Sequence, residues 1–427
     1  MGLLTGILML LVFGVIACII IRGQSPIISL LALAIIWAIL AGVSGKDILA
    51  QVLDRGGTAY ASAIVIIVFG AWFGQALVKT GIAENIIRGA IELAGDRPST
   101  VAMVVSVVTG LLFTSVYGVG AAIAIGVIAL PIMMSMGIPP WVAAPAFTMP
   151  IGGADAFNLV PFNIYKPLFP GLVYEQPYIT FFLSAFAVYV LVACAMSFYN
   201  LHFGGTRKYS AVSAAPPAAA RVKISWFAYL SPAIPVVMVI AFKWPMIPAF
   251  ILGTVYAILS TQVGRRSFSE SVDLFHKTFY DAFPDIATIA ALWIICGMLI
   301  VAGQLPAVQK VLNPVFGPIL PTTRLGVSIF FAALAPLTLY RGPLQIVGTG
   351  AALLAVFLNA HVISPIYLYC AWRGVLNLGA SQDPTNSWTL WTIGYTKVTH
   401  GQFLKTALPW GWLMAAINAF LAYAMVP

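Results

Sequence analysis

Charge is what this sequence has least of. Of 427 residues only 8% are charged, while 61% are hydrophobic. Soluble domains carry about a quarter charged residues. So few charged side chains cannot cover a soluble fold of this size, which argues against a soluble enzyme. Disorder is excluded too, because apolar runs of eighteen or more residues recur along the chain. Cysteine is scarce: Cys18, Cys194, Cys296 and Cys370 all lie in apolar segments, with no CxxC pair. Disulfides and structural zinc are therefore not expected. His202, His276, His361 and His400 show no metal-ligand spacing, and neither HExxH nor GxSxG occurs. No enzyme and no cofactor is expected. A net charge of +9 would suit nucleic acid in a soluble protein, but in this chain the basic residues read as a topology signal. Nucleic acid is not an expected partner; the lipid bilayer is.

What is present is a series of apolar spans, and a mean hydropathy of +1.00. At roughly 40 residues per span with its connection, the length allows about ten transmembrane helices. In the first half the spans are 3–21, 26–43, 58–78 and 178–199; in the second they are 225–242, 245–262, 284–303 and 407–426. The run at 3–21 follows no positive charge, so it reads as a retained helix with an external N-terminus rather than a signal peptide. Short amphipathic or interfacial pieces are expected at 46–55, 82–93, 267–281 and 306–316.

Two segments are too long for one helix and too short for two spans: 99–136 and 322–359. Each has a poor helix former at its middle, Thr114-Ser-Val-Tyr-Gly-Val-Gly120 and Thr338-Leu-Tyr-Arg-Gly-Pro-Leu-Gln345. Arms of about 15 residues reach roughly 22 Å and stop inside a bilayer core of about 30 Å. Both segments are predicted to be re-entrant hairpins. Two further segments, 139–168 and 363–396, carry polar Gly- or Ser-rich interruptions, Gly152-Gly-Ala-Asp-Ala-Phe-Asn158 and Gly379-Ala-Ser-Gln-Asp-Pro-Thr-Asn-Ser387. They read as broken helices.

The halves align at an offset of about 222 to 231 residues: Tyr117 matches Tyr340, Pro140 matches Pro365, and Asp155-x-x-Asn158 matches Asp383-x-x-Asn386. The expected organisation is a first repeat over 1–200, a cytoplasmic basic linker over 201–224, and a second repeat over 225–427. Five spans per half make the second copy inverted. With the linker in the cytoplasm, Arg22, Lys79, Arg88, Arg97, Arg207, Lys208, Arg221, Lys223, Arg265, Arg266, Lys277, Lys397 and Lys405 fall inside. Lys46, Arg55, Lys166, Lys243, Lys310 and Arg324 fall outside. This bias obeys the positive-inside rule and puts both termini outside a bacterial-type inner membrane. The fold class is an all-α polytopic membrane protein with two hairpins and broken helices in two inverted repeats.

Arg341 and Arg373 fit neither side, and Asp155 and Asp383 are read as the only acids away from loops and helix ends. Arg341 at the second hairpin tip is a candidate anion-binding residue, or else a partner of Asp383 or of backbone carbonyls. Arg373 is a second substrate contact, a helix-locking ion pair or a snorkelling residue. Asp155 and Asp383, with Asn158, Asn386 and Ser387, are candidate coupling-ion residues, taking Na⁺ or a proton, or caps of the following half-helix. Ser115, Tyr117, Tyr340, Gln345, Asn377, Thr385 and Asn386 are candidate hydrogen-bond donors to an anion. Trp388 and Trp391 are assigned to packing or the interface belt, and His361 is the one histidine placed to carry a proton.

The order of elements resembles the ion transporter superfamily of secondary carriers over essentially the whole chain. Ala76-Leu-Val-Lys-Thr-Gly-Ile-Ala-Glu-Asn85 before the first hairpin is similar to gluconate permeases, citrate–metal symporters and the membrane subunit of tripartite carriers. The layout also resembles the divalent anion/sodium symporters. The resemblance implies a carboxylate held between hairpin tips and broken-helix loops, with Thr114–Gly120, Asp155–Asn158, 338–345 and 381–387 forming the site. It implies a homodimer and an elevator motion of the hairpin-bearing part. The chain departs from the divalent-anion pattern, with Thr-Ser-Val-Tyr and Tyr-Arg-Gly-Pro in place of the paired Ser-Asn-Thr motif. The expected function is an ion-coupled symporter for a small organic anion, the alternative being the membrane subunit of a multi-component carboxylate carrier.

Overall fold

The structure is a computed structural model that describes residues 2–204, 224–262, 268–316, 318, 320–360 and 363–427. Residues 205–223 of the basic linker and His361 lie outside the described residues, and the start of the linker, to Phe203, continues α11. The described chain is helical, with no strand. Its first half contains α1 (Gly2–Ile21), α2 (Pro26–Leu40), α3 (Gly45–Asp47), a π-helical stretch Ile48–Arg55, α4 (Gly56–Thr58), α5 (Ala61–Lys79), α6 (Ile82–Ala94), α7 (Pro98–Phe113), α8 (Val119–Ser135), α9 (Pro140–Ala154), α10 (Leu159–Tyr165) and α11 (Tyr178–Phe203). The second contains α12 (Ala233–Ile240), α13 (Met246–Gln262), α14 (Phe268–Gln304), α15 (Pro306–Phe316), α16 (Arg324–Leu334), α17 (Gly350–Ala360), α18 (Pro365–Gln382), α19 (Ser387–Thr396) and α20 (His400–Met425).

Local chemistry sets these boundaries. Proline opens α2, α7, α9, α15 and α18, where its missing N–H costs nothing. Thr399 caps α20 in a reciprocal capping box with Gln402. Gly81, at φ 81°, makes the left-handed turn between α5 and α6. Among the described residues, five helical stretches are long and apolar enough to cross a membrane: Leu3–Ile21, Gly45–Lys79, Tyr178–Phe203, Ser269–Gln304 and His400–Met425. The first is 28% buried over its most apolar window, so most of its apolar surface faces outward.

α5 and α14, counterparts in the expected repeat, pack against each other. Lys79, at the end of α5, bridges Asp281 at 3.4 Å. At the other end a Cβ on Gly297 of α14 would lie 2.5 Å from the Gly56 carbonyl. As α5 runs forward α14 therefore runs back. The broken helices α9 and α18 also cross, at Gly152, where a Cβ would meet the Asn377 carbonyl at 2.6 Å and Ser381 Cβ at 2.5 Å. Small residues let helix backbones approach this closely in a membrane.

Three spans differ from expectation. The short piece 46–55 and the span 58–78 run on as one helical stretch, Gly45–Lys79. The stretch 225–242 is a 3₁₀ turn over Trp226–Leu230 followed by the eight-residue α12, roughly 12 Å long. Pro232 and Pro235 explain this, since neither can donate to the preceding turn. The amphipathic piece 267–281 and the span 284–303 form a single helix, the 37-residue α14, with Pro284 inside it.

Helices α7, α9, α11, α16, α18 and α20 pack into one body. Helices α1, α2, α5, α13 and α14 pack into another. Hairpin arms α8 and α17 lie between them: a Cβ on Gly74 of α5 would be 3.1 Å from the Tyr117 carbonyl, and one on Gly303 of α14 would be 2.7 Å from Ala355 Cβ.

Candidate functional site

The first hairpin turns between α7 and α8, the second between α16 and α17. Pro150 inside α9 leaves the Ala146 carbonyl without a helical donor, and Ser106 of α7 supplies one at 2.8 Å. The first tip is closed by Asn158. Its Nδ2 donates to the Phe113 carbonyl at 2.7 Å and the Val116 carbonyl at 2.9 Å, which the end of α7 leaves free. Its Oδ1 accepts from the Val160 N–H at 2.8 Å and so caps α10. Every polar atom of this fully buried side chain is thus engaged in joining the first break to the first tip.

The second tip is built differently. A 3₁₀ turn over Ala335–Arg341 ends with Tyr340 and Arg341 both at φ 56°. Each costs about 1–2 kcal/mol in a left-handed conformation. The turn is held because the Arg341 N–H donates to Asp383 Oδ2 at 3.1 Å. Thr349 donates to the Arg341 carbonyl through its N–H at 3.0 Å and its hydroxyl at 3.2 Å. Asp383 Oδ1 accepts from the Thr385 N–H and hydroxyl, both at 2.8 Å. The Arg341–Asp383 contact therefore uses the arginine's backbone. The guanidinium makes one long contact, Nη1 to the Val347 carbonyl at 3.5 Å, and is left for another acceptor.

Between the breaks sits Arg373, 1% exposed on α18. Its Nη2 donates to the Asp155 carbonyl, its Nε has no partner, and its guanidinium lies 5.2 Å from the Tyr165 ring centre and 5.9 Å from that of Tyr369. It makes no ion pair among the described residues. The Asp155 carboxylate, close by, accepts no hydrogen bond from them and does not cap α10. Tyr117 of the first tip and Tyr165 of α10 are both buried, and Thr338 and Gln345 of the second tip lie against Gly379 of α18. One small region thus unites the first tip, the first break, the second tip and α18. Trp388 of α19 belongs to its wall rather than to the interface belt: it is buried, its ring centre is 6.2 Å from that of Tyr117, and its indole N–H donates to the Ala380 carbonyl at 2.7 Å.

Of the other expected residues, Tyr340 is adjacent, next to Arg341 in the second tip. Thr385 is engaged by Asp383. Ser115 is buried but lines a side cavity of about 360 Å³ with Ile86, Tyr229 and Pro232. Gln345 is buried behind the second tip, its Nε2 against Gly379 and its Oε1 unpaired. Asn377 is buried near the α9 crossing with both amide atoms unpaired. Asn386 starts α19 and donates to the Ala380 carbonyl at 3.3 Å. Ser387 is the first residue of α19 and half-buried.

For a cation the two loops are unequal. All three donors around Asp383 point N–H or O–H groups at its oxygens, which a metal ion would have to displace. The Asp155 carboxylate is free of donors, though beside a guanidinium. Among the described residues no cluster of three or more His, Cys, Asp or Glu exists to hold a metal.

A third acid, half-buried, was not separated from the helix ends in the sequence. Asp285 lies within α14, where it accepts from Gln75 Nε2 of α5 and from the Gly120 backbone N–H at the start of α8. A Cβ on Gly120 would be 2.2 Å from its Oδ1. An Asp beside Pro284 in an otherwise apolar stretch was the available signal.

No family model matches this sequence, and no curated protein matches it. Among solved structures the chain is similar to the Alcanivorax borkumensis YdaH transporter, whose crystal structure is described as revealing an unusual topology. The TM-score is 0.66 at 14% identity, over 94% of this chain and 98% of that one. The likeness is one of fold: this chain has the architecture of a polytopic membrane transporter.

Proposed function

We propose that the protein is a secondary active transporter of the ion transporter superfamily type, carrying a small organic anion, a carboxylate, with Na⁺ or H⁺. The observation that carries this reading is Arg373, a fully buried guanidinium with no ion pair among the described residues and a free Nε, next to the donor-free carboxylate of Asp155. An intramembrane charge left so incompletely compensated is costly unless it meets a ligand or ion for part of a cycle. Arg341 supplies the second cation from the opposite hairpin. A carboxylate between them is held bidentately, as guanidinium geometry favours. Asp155 is the coupling residue, taking a cation or a proton when the anion enters. Asp383 is the tie of the second hairpin.

Hairpins set between two packed bodies suit an elevator motion, in which the body carrying α7, α9, α16 and α18 moves against the other. The protein acts as a homodimer in a bacterial-type inner membrane with both termini outside. A thermal-stabilisation screen of mono-, di- and tricarboxylates, with and without Na⁺, tests the reading. Stabilisation by a carboxylate that Arg373→Gln removes supports it. A neutral sugar or an organic cation as the only stabilising ligand overturns it.

A further inference from the structure

A large cavity lies away from this site, at the end of the bundle where α11 finishes and α20 begins. It has a volume of about 770 Å³ and is lined by Trp141, Tyr199, Asn200, Gly204 and a face of α20. That face, Gln402, Lys405, Thr406, Pro409 and Trp410, follows the spacing i, i+3, i+4, i+7, i+8, one stripe of a helix. Polarity changes along it. Gln402 and Lys405 stand in the first two turns of α20, and Pro409 and Trp410 lie deeper, with the Trp410 and Tyr199 ring centres 5.7 Å apart.

The polar end has unspent capacity. Lys405 is exposed and makes no ion pair among the described residues. Gln402 turns its Oε1 to the Thr399 N–H at 3.2 Å, which leaves its NH₂ outward. Pro409 has no N–H, so the Lys405 carbonyl lacks its helical donor. No acid lines the cavity. No Asp or Glu occurs after Asp383, or between Glu175 and Glu270, and Arg207 and Lys208 come soon after Gly204 in the sequence. Lys405 is thus the one charged residue of the lining, with aromatic rings one or two turns further in. That is the polarity of a phospholipid standing in its leaflet.

We propose that this groove binds one anionic phospholipid, its phosphate on Lys405 and Gln402 and its glycerol and chains along Thr406, Pro409, Trp410 and Tyr199. Native mass spectrometry of the purified full chain tests it, with phosphatidylglycerol and phosphatidylethanolamine of identical chains added in equal amounts. The expected result is roughly tenfold preferential retention of phosphatidylglycerol, the equivalent of about 1.4 kcal/mol. Lys405→Glu and Lys405→Gln lose that preference, Trp410→Ala retains either lipid several-fold less, and Lys46→Glu, in the stretch that leads into α5, changes nothing. Equal retention of the two lipids, or an undiminished preference in both Lys405 variants, overturns the proposal. Displacement of phosphatidylglycerol by millimolar inorganic phosphate also overturns it, because the groove would then be a site for free anions. Lys405 is exposed, so its variants keep the fold; monodisperse elution confirms this before lipid is added.

Discussion

Asn158 holds the first hairpin by donating to the Phe113 and Val116 carbonyls at 2.7 and 2.9 Å, and Asp383 holds the second by accepting from the Arg341 N–H at 3.1 Å. The two residues do one job in opposite halves with opposite hydrogen-bond polarity. They also come from opposite ends of the repeated Asp-x-x-Asn. One tip offers carbonyls and takes an amide; the other offers an N–H and takes a carboxylate.

The polarity makes conservative exchanges disruptive. Asn158→Asp turns acceptors toward two carbonyls, and Asp383→Asn can turn an NH₂ toward an N–H. Each should cost about 1–3 kcal/mol, the price of stranding buried hydrogen-bonding groups. Both variants should melt below the wild type in detergent, and the double exchange should not recover the loss. A wild-type melting curve for either single variant would show that its tie is not formed.

Asp155 and Asp383 should separate in ion dependence. Asp155→Asn changes or removes the response of uptake to Na⁺ and pH. Asp383→Asn lowers the rate and leaves that response in place, because its carboxylate is occupied by three protein donors. Uptake measured across a matrix of Na⁺ concentrations and pH values distinguishes them. The reverse pattern would move the coupling site to the second break.

Arg373→Lys keeps a positive charge and loses the flat fork that lies near Tyr165 and Tyr369. Loss of charge-assisted hydrogen bonds worth about 1.5–3 kcal/mol should weaken apparent substrate affinity roughly ten- to a hundredfold. The KM for uptake reports it. An unchanged KM would make Arg373 a structural residue.

Gly152→Ala places a methyl group 2.6 Å from the Asn377 carbonyl, where two helix backbones cross and neither can move freely. Overpacking of this kind costs about 1–3 kcal/mol. The variant should lose thermal stability, and Gly14→Ala, where nothing lies within 4 Å, should not.

Much of this arrangement was legible in the residues. Apolar segments of awkward length with poor helix formers at their middles gave both hairpins, because arm length and helix propensity are local properties. The polar breaks gave both discontinuous helices for the same reason. Arg341 and Arg373 stood out because no loop could account for them. What stayed hidden depends on three-dimensional partners. Nothing in Asp-x-x-Asn says which of its two ends will tie a tip, since that depends on whether the tip presents carbonyls or an N–H. Asp285 looked like the start of a span because the amphipathic stretch before it continues into the same helix. The span at 225–242 was counted by hydrophobicity alone, although Pro232 and Pro235 leave too few residues between them and Phe242 for a crossing helix.

The most direct test is uptake into liposomes containing only the purified protein and loaded with the carboxylate found in the stabilisation screen. The account predicts accumulation above the external concentration when a Na⁺ or proton gradient is imposed. Accumulation should stop when that gradient is collapsed, and Arg373→Gln should abolish it. Equilibration without accumulation, accumulation that requires an added protein partner, or full activity of Arg373→Gln would contradict it.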